Sequence, residues 1–183
     1  MASGSSSKKK RLLSSAEITA GIAEVAHLAK GNRIMLVGGV ALHQYGSDRL
    51  TSDIDIVAEH SIQTFPAIKS LSFGGYTSET PSGVPVDVIL RNDEYKKVFD
   101  EALLYARKLP GVPVSVVSLE YAVVMKMIAH RPKDMADLAE IFTMDALDIQ
   151  KARGLVRRHL GSYAINDFDS MVREAAWRKS QDE

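Results

Sequence analysis

Apolar positions along the chain change period several times, and each change marks an element. Ile18, Ile22, Val25, Ala26, Leu28 and Ala29 recur at helical spacing. They follow Ser14-Ser15-Ala16-Glu17, which places Ser14 as N-cap and Glu17 as its reciprocal partner three residues on. Gly31 supplies a stop, so one helix is predicted over about 15–30. Arg33 to Val37 is then a short β-rich run that ends at Gly38-Gly39. Val40 to Tyr45 reads as a short helix and Ser52 to Ala58 as a second strand. Ser61 to Leu71 predicts a helix disturbed by Pro66 and ended by Gly74-Gly75. Tyr76–Glu79 and Pro85–Leu90 flank Thr80-Pro81-Ser82-Gly83, a hairpin pattern. Asp93 to Leu109 predicts a helix with Val98, Ala102, Leu103 and Ala106 inward, and Val112 to Val117 a last strand.

From Ser118 onward the pattern is helical only. Ser118 stands as a cap for a helix through His130, and Arg131-Pro132 interrupts it. Lys133–Phe142, about 145–160 and about 167–179 are further helices, with Gly161 as a stop. The chain therefore divides into a leader (1–13), an α/β core (14–118) and a helical portion (119–183). The expected fold class is α/β: a short, mixed, twisted sheet with flanking helices, followed by a helical C-terminal portion.

Composition narrows the chemistry. Lys+Arg and Asp+Glu are both 23, so no global basic field gathers nucleic acid, and any such contact is local. The absence of cysteine removes disulfides, thiolate catalysis and Cys-based zinc sites, and fits a reducing compartment. No apolar run approaches the roughly 20 residues that span a bilayer. "MASGSSSKKKR" has no apolar core of a signal peptide, so a cytoplasmic protein with no membrane partner is expected. Its Lys8-Lys9-Lys10-Arg11 cluster reads as a solvated leader, with phosphate contact the alternative.

Carboxylates interrupt two of the apolar strands. In Asp53-Ile54-Asp55-Ile56 the period of two puts both acids on one face, about 7 Å apart, and both isoleucines on the other. Such a pair repels itself unless a cation intervenes, and Mg²⁺ is typically held by one or two carboxylates plus substrate phosphates. Val86-Asp87-Val88 carries a third acid in the same setting. If its strand neighbours the first, three carboxylates converge, enough for two metals flanking an in-line displacement, with the third acid able to deprotonate an acceptor hydroxyl. Gly38-Gly39, between a strand and a helix, lets phosphate oxygens approach the backbone. Arg49 stands between the two features and suits a phosphate. Each feature also has an ordinary explanation: a tight turn, a solvated strand face, an exposed edge.

Gly38-Gly39, Asp53-Ile54-Asp55-Ile56 and Asp87, in that order, resemble the DNA polymerase β-type nucleotidyltransferase superfamily. "RLTSDIDI" (Arg49–Ile56) resembles its minimal and type IV toxin-like branch, with similarity to lincosamide and aminoglycoside nucleotidyltransferases. Lys126, then Arg131-Pro132-Lys133-Asp134-Met135-Ala136-Asp137-Leu138, resembles the helical segment of that branch. The resemblance implies transfer of a nucleoside monophosphate from an NTP, ATP among them, to an acceptor hydroxyl, with release of pyrophosphate. Asp53, Asp55 and Asp87 would hold Mg²⁺ or Mn²⁺, with Asp87 also taking the acceptor's proton. Gly38 and Gly39 would hold β- and γ-phosphates, with Arg49 and Thr51 beside them. Lys126 would face the triphosphate, Lys133 would stand nearby, and Asp134 would cap or salt-bridge at the cleft. The acceptor stays open between RNA (a tRNA included, as in a toxin–antitoxin system), a small molecule and a protein. A nucleotide-binding or regulatory module without catalysis is the alternative.

Other features are weaker. Asp137 reads as an acid favouring the positive start of a helix. His43 could border the cleft. Trp177, with Arg173, Arg178 and Lys179, reads as packing of the last helix or as a base-stacking end. Arg153, Arg157 and Arg158 read as solvated surface or an RNA-facing stripe.

Overall fold

The computed structural model describes residues 11–182. Helix α1 (Ser15–Leu28) leads to strand β1 (Ile34–Val37), short helix α2 (Gly38–His43) and strand β2 (Ile54–Ala58). Strands β3 (Lys69–Ser70), β4 (Gly75–Glu79) and β5 (Pro85–Ile89) follow, then α3 (Lys96–Leu104) and β6 (Ser115–Val116). Four helices complete the chain: α4 (Leu119–Ala129), α5 (Pro132–Ile141), α6 (Ile149–Leu160) and α7 (Tyr163–Asp182). The fold is a mixed six-stranded sheet of order β3-β4-β5-β2-β1-β6 with flanking helices and a helical C-terminal part. β2 and β5 run parallel, as do β1 and β6; the other pairs are antiparallel.

Both faces of the sheet bury apolar residues, Met35, Val57 and Ile89 among them, and they differ where the carboxylates stand. Ile54, Ile56, Val86 and Val88 are fully buried on one face, joined there by Tyr76 and Ser78 of β4. Helix α1 approaches this side through Gly21, where a Cβ would lie only 2.7 Å from Ile54 Cδ1. Ser14 caps α1 as its sequence predicts: its side chain accepts from the Glu17 N–H, and the Glu17 carboxylate accepts the Ser14 N–H at 2.8 Å. Each buried aliphatic of α1 contributes about 1.5–3 kcal/mol of hydrophobic stabilisation. The opposite face carries Asp55, Asp87 and Thr77, all half-buried.

Helix α4 ties the halves together. It is buried continuously from Leu119 to Lys126 and packs against α3, α5 and α6. One apolar cluster runs from Leu13 to Ala175. Among the described residues no helix is long and apolar enough to cross a membrane.

Several boundaries depart from the sequence pattern. Residues 61–71 form no helix: Ile62 and Phe65 are buried at helix-like spacing, but Pro66 restricts the residue before it. The chain then extends, and β3 pairs with β4. Helix α3 stops at Leu104 rather than Leu109, because the backbone of Arg107 exchanges two hydrogen bonds with Val116, each 2.7 Å. Helix α6 starts at Ile149, since Asp148 caps it by accepting the Lys151 N–H at 2.9 Å. Helix α2 begins at Gly38 itself, and α7 starts earlier than predicted, at Tyr163. Pro113 precedes a strand reduced to Ser115–Val116. Ser118 occupies the cap position of α4 without a side-chain cap bond. Leu13, placed with the leader, is buried, and its N–H bonds the Thr51 carbonyl at 2.8 Å. Lys8, Lys9 and Lys10 lie outside the described residues.

Candidate active site

Pairing of β2 with β5 puts Asp55 directly beside Asp87. Registered neighbours share a face, with backbones about 4.8 Å apart. The condition on which the carboxylate pattern depended, adjacency of the two strands, is therefore met. Asp53 is placed differently from the sequence expectation. The strand begins at Ile54, so Asp53 sits in the bend before it rather than in the ladder. Thr51 shapes that bend: its hydroxyl donates to the Asp53 carbonyl at 3.1 Å and lies 3.5 Å from Asp53 Oδ1.

The glycine pair closes over these residues. β1 pairs antiparallel with β2, and Val37 is the partner of Asp55, so Gly38 follows immediately above that carboxylate. Gly38 has φ +65°, a region costly for other residues, and a Cβ there would stand 2.0 Å from Asp55 Oδ2. Gly39 meets the other half of the motif: a Cβ would lie 2.3 Å from Arg49 Nη1 and 3.1 Å from Thr51 Oγ1. Gly38 is thus required by its left-handed backbone and the Asp55 carboxylate, whereas a side chain at Gly39 would force Arg49 and Thr51 to give way.

A charged network joins this loop to the helical portion. Asp137, 2 % exposed, accepts from Arg49 Nε at 2.7 Å through Oδ1 and from the Lys126 ammonium through Oδ2. Lys126 is also 3.8 Å from Asp134 Oδ1. Asp134 accepts from Arg131 at 2.6 and 3.1 Å and from its backbone N–H at 3.2 Å. Burial acts to raise the Asp134 pKa, but the Arg131 hydrogen bond and charge outweigh it and hold the carboxyl below its ordinary value. The Asp134 hydrogen bond raises the Arg131 pKa against desolvation, with further help from the charges of Asp55 and Asp137. That coupling brings the α4–α5 corner within electrostatic range of the β2 carboxylate. Three cations share two buried acids here.

The structure thus brings together Gly38, Gly39, Arg49, Thr51, Asp53, Asp55 and Asp87, with Lys126 and Asp134 behind them. Lys126 is buried against Asp137 rather than standing open. Lys133 is exposed on the first turn of α5. His43 is half-buried in α2. Asp137 lies beyond the first helical turn, and its role is to serve Arg49 and Lys126. The pointer to it in the sequence was the apolar surround of Lys126, whose charge demanded a partner. Arg131, which the sequence marks as a helix break and the start of the Arg131–Leu138 segment, is the partner of Asp134. Trp177 is 64 % exposed and is not packed on its neighbours as expected. The arginine stripe is divided, with Arg153 bound to Asp169 at 2.8 Å and Arg158 to Glu101 at 2.6 Å.

The donor set fits a hard divalent cation. Asp55 and Asp87 offer two half-buried carboxylates side by side, the usual protein share of an Mg²⁺ site completed by substrate phosphates. Among the described residues no three His, Asp or Glu side chains are already gathered into a metal cluster, so the pair, with Asp53 adjacent, is the unit that fits.

Comparison with known proteins bears on the fold and the family. Among solved structures, the chain is similar to an antigenic nucleotidyltransferase-like protein from Paracoccidioides brasiliensis, with a TM-score of 0.50 and 16 % identity. The match covers 89 % of this chain and 95 % of that one, and it is a likeness of fold. No curated protein matches the chain. A family described as "Nucleotidyltransferase of unknown function (DUF6036)" matches residues 16–183. The chain belongs to that family.

Proposed function

We propose that this protein is a metal-dependent nucleotidyltransferase that moves a nucleoside monophosphate from an NTP to an acceptor hydroxyl and releases pyrophosphate. The observation that carries the proposal is the registered pair Asp55 and Asp87 beneath the Gly38 backbone. Asp55 and Asp87 would hold Mg²⁺ or Mn²⁺, with Asp53 adjacent to them. When bound, the metal supplies neutralisation of phosphate charge and orients the reacting oxygens. Gly38 and Gly39 present backbone N–H groups to the β- and γ-phosphates, and Thr51 fixes the bend that carries Asp53. Arg49, held through Nε by Asp137, keeps its Nη edge at Gly39, where a guanidinium meets phosphate well. Lys126 acts from behind by holding Asp137. Arg131, oriented by Asp134, adds positive charge on the Asp55 side, and exposed Lys133 stands next to it. Asp87 takes the proton of the acceptor hydroxyl. Positioning and electrostatics supply most of the rate in such transfers. Membership of the minimal, toxin-like branch rests on "RLTSDIDI" and the Arg131–Leu138 segment.

Ligand-dependent stabilisation tests the site. At about 100-fold excess over Kd, a ligand that binds only the folded state stabilises it by about 2.7 kcal/mol. Melting temperature should rise when Mg²⁺ and an NTP are added together, and much less for Asp87→Asn. Equal stabilisation of both proteins would remove Asp87 from the site.

A further inference from the structure

The row of side chains that begins at Asp55 does not end at Asp87. Asp87 is also the registered partner of Thr77 on β4, and Thr77 is the partner of Lys69 on β3. Partners across a sheet share a face, so Asp55, Asp87, Thr77 and Lys69 form one line across four strands. With strands about 4.8 Å apart, Lys69 starts about 10 Å from Asp87, and its long stem shortens that gap for its ammonium. The reverse side of β4 is closed: Tyr76 and Ser78 are buried, the Tyr76 hydroxyl donates to the Ile62 carbonyl at 3.1 Å, and Ser78 donates to the Pro66 carbonyl at 2.9 Å. Thr77 is half-buried, while Lys69 and Glu79 on its side are exposed. The face that bears the carboxylates is therefore continued, towards the sheet edge, by an open polar platform.

We propose that β4 and β3 bind the acceptor, and that the acceptor is an alcohol bearing a phosphate group. Its hydroxyl lies at Asp87, Thr77 hydrogen-bonds the linking portion, and its phosphate meets Lys69. Glu79, two residues beyond Thr77 on the same face, borders the platform on the side of Pro85 and repels a phosphate placed there, which favours the Lys69 end. The nucleotide is assigned to the other end of the row, under Gly38-Gly39 and Arg49, so the two substrates meet over the carboxylate pair. In the transfer, the acceptor oxygen forms a bond to the α-phosphorus and the bond to the bridging oxygen of pyrophosphate breaks. The proton passes to Asp87. This inference rests on the nucleotidyltransferase reading and adds the class of acceptor to it.

Amide spectra of the ¹⁵N-labelled protein test it with two probes, glycerol 3-phosphate and a short RNA with a free 3′-hydroxyl. Each is titrated against the protein holding Mg²⁺ and a non-hydrolysable NTP analogue, with glycerol as the control. The expected result is movement of the Thr77 and Lys69 resonances with at least one phosphate-bearing probe and not with glycerol. The tighter probe then tells a small acceptor from a nucleic-acid end. Lys69→Glu should weaken that probe by about ten-fold or more and Lys69→Arg should restore it, the scale of one charge-assisted hydrogen bond. No movement with either probe, equal movement with glycerol, or unchanged affinity in Lys69→Glu overturns the platform. The NTP analogue reports separately: no movement at Gly38, Gly39 and Asp55 overturns the nucleotidyltransferase reading itself, whereas movement there with a silent Thr77 and Lys69 overturns the acceptor site alone.

Discussion

Asp137 on α5 accepts from the Arg49 guanidinium, 2.7 Å away on the segment before β2. With Lys126 on its second oxygen, it joins the segment between α2 and β2 to the helical portion at a point withdrawn from water. Removing one member of a buried charge group leaves its partners uncompensated, at a cost of about 3–5 kcal/mol. Asp137→Ala should fall near the lower end, because Asp134 still stands near Lys126. Chemical denaturation measures this. A loss below about 1 kcal/mol, the scale of a surface pair, would show that the network carries little.

Gly38→Ala should damage both stability and the site. The left-handed backbone costs a non-glycine residue about 1–3 kcal/mol, and the added Cβ collides with the Asp55 carboxylate. Gly46 has φ +95° with nothing within 4 Å of its missing Cβ, so Gly46→Ala supplies strain without collision. Comparing Mg²⁺–NTP binding in the two variants separates the effects. Gly46→Ala should bind as the unaltered protein does; Gly38→Ala should not.

Asp134 sets an acid limb of stability. Its folded-state pKa lies below its unfolded value of about 3.9, because the Arg131 hydrogen bond and charge overcome burial. Its contribution is therefore full above that value and disappears as pH falls through the lower folded pKa. The stability difference between the unaltered protein and Asp134→Asn should be level from pH 7 to about 5 and shrink below about 4. A difference independent of pH over that range would contradict the ion-pair assignment.

These features were unequally visible in the sequence. Val86-Asp87-Val88 and Ile54-Asp55-Ile56 announce themselves because a strand's period of two leaves an acid among buried neighbours. Gly38-Gly39 is visible as a pair of glycines between a strand and a helix, and at Gly38 the left-handed backbone beside Asp55 explains it. The order of strands is not visible: β5 returns beside β2 after a β3–β4 hairpin, and no local pattern encodes that pairing. Asp137 was hidden for a similar reason, since its partner Arg49 is distant in the chain and on another element. Ile62 and Phe65 misled in the opposite way, as their spacing mimics a helix while Pro66 and the edge pairing of Lys69 and Ser70 decide otherwise. The start of β2 shows how fine the margin is: one bend, held by Thr51, takes Asp53 out of the ladder that its alternation with Asp55 predicts.

Conservative removal of charge at the carboxylates should separate chemistry from folding. Asp55 and Asp87 are half-buried, so Asn at either position preserves volume and leaves the buried apolar residues around them in place. Asp55→Asn and Asp87→Asn should unfold within about 1 kcal/mol of the unaltered protein, a typical effect for a surface-facing change.

The most direct measurement is transfer of label from each α-labelled NTP, with Mg²⁺ or Mn²⁺, into a cell extract that supplies acceptors. Asp55→Asn and Asp87→Asn are run beside the unaltered protein. The account predicts label on a macromolecule or small molecule with the unaltered protein and essentially none with either variant. Label transferred at a similar rate by the Asn variants would contradict the carboxylate mechanism at its centre.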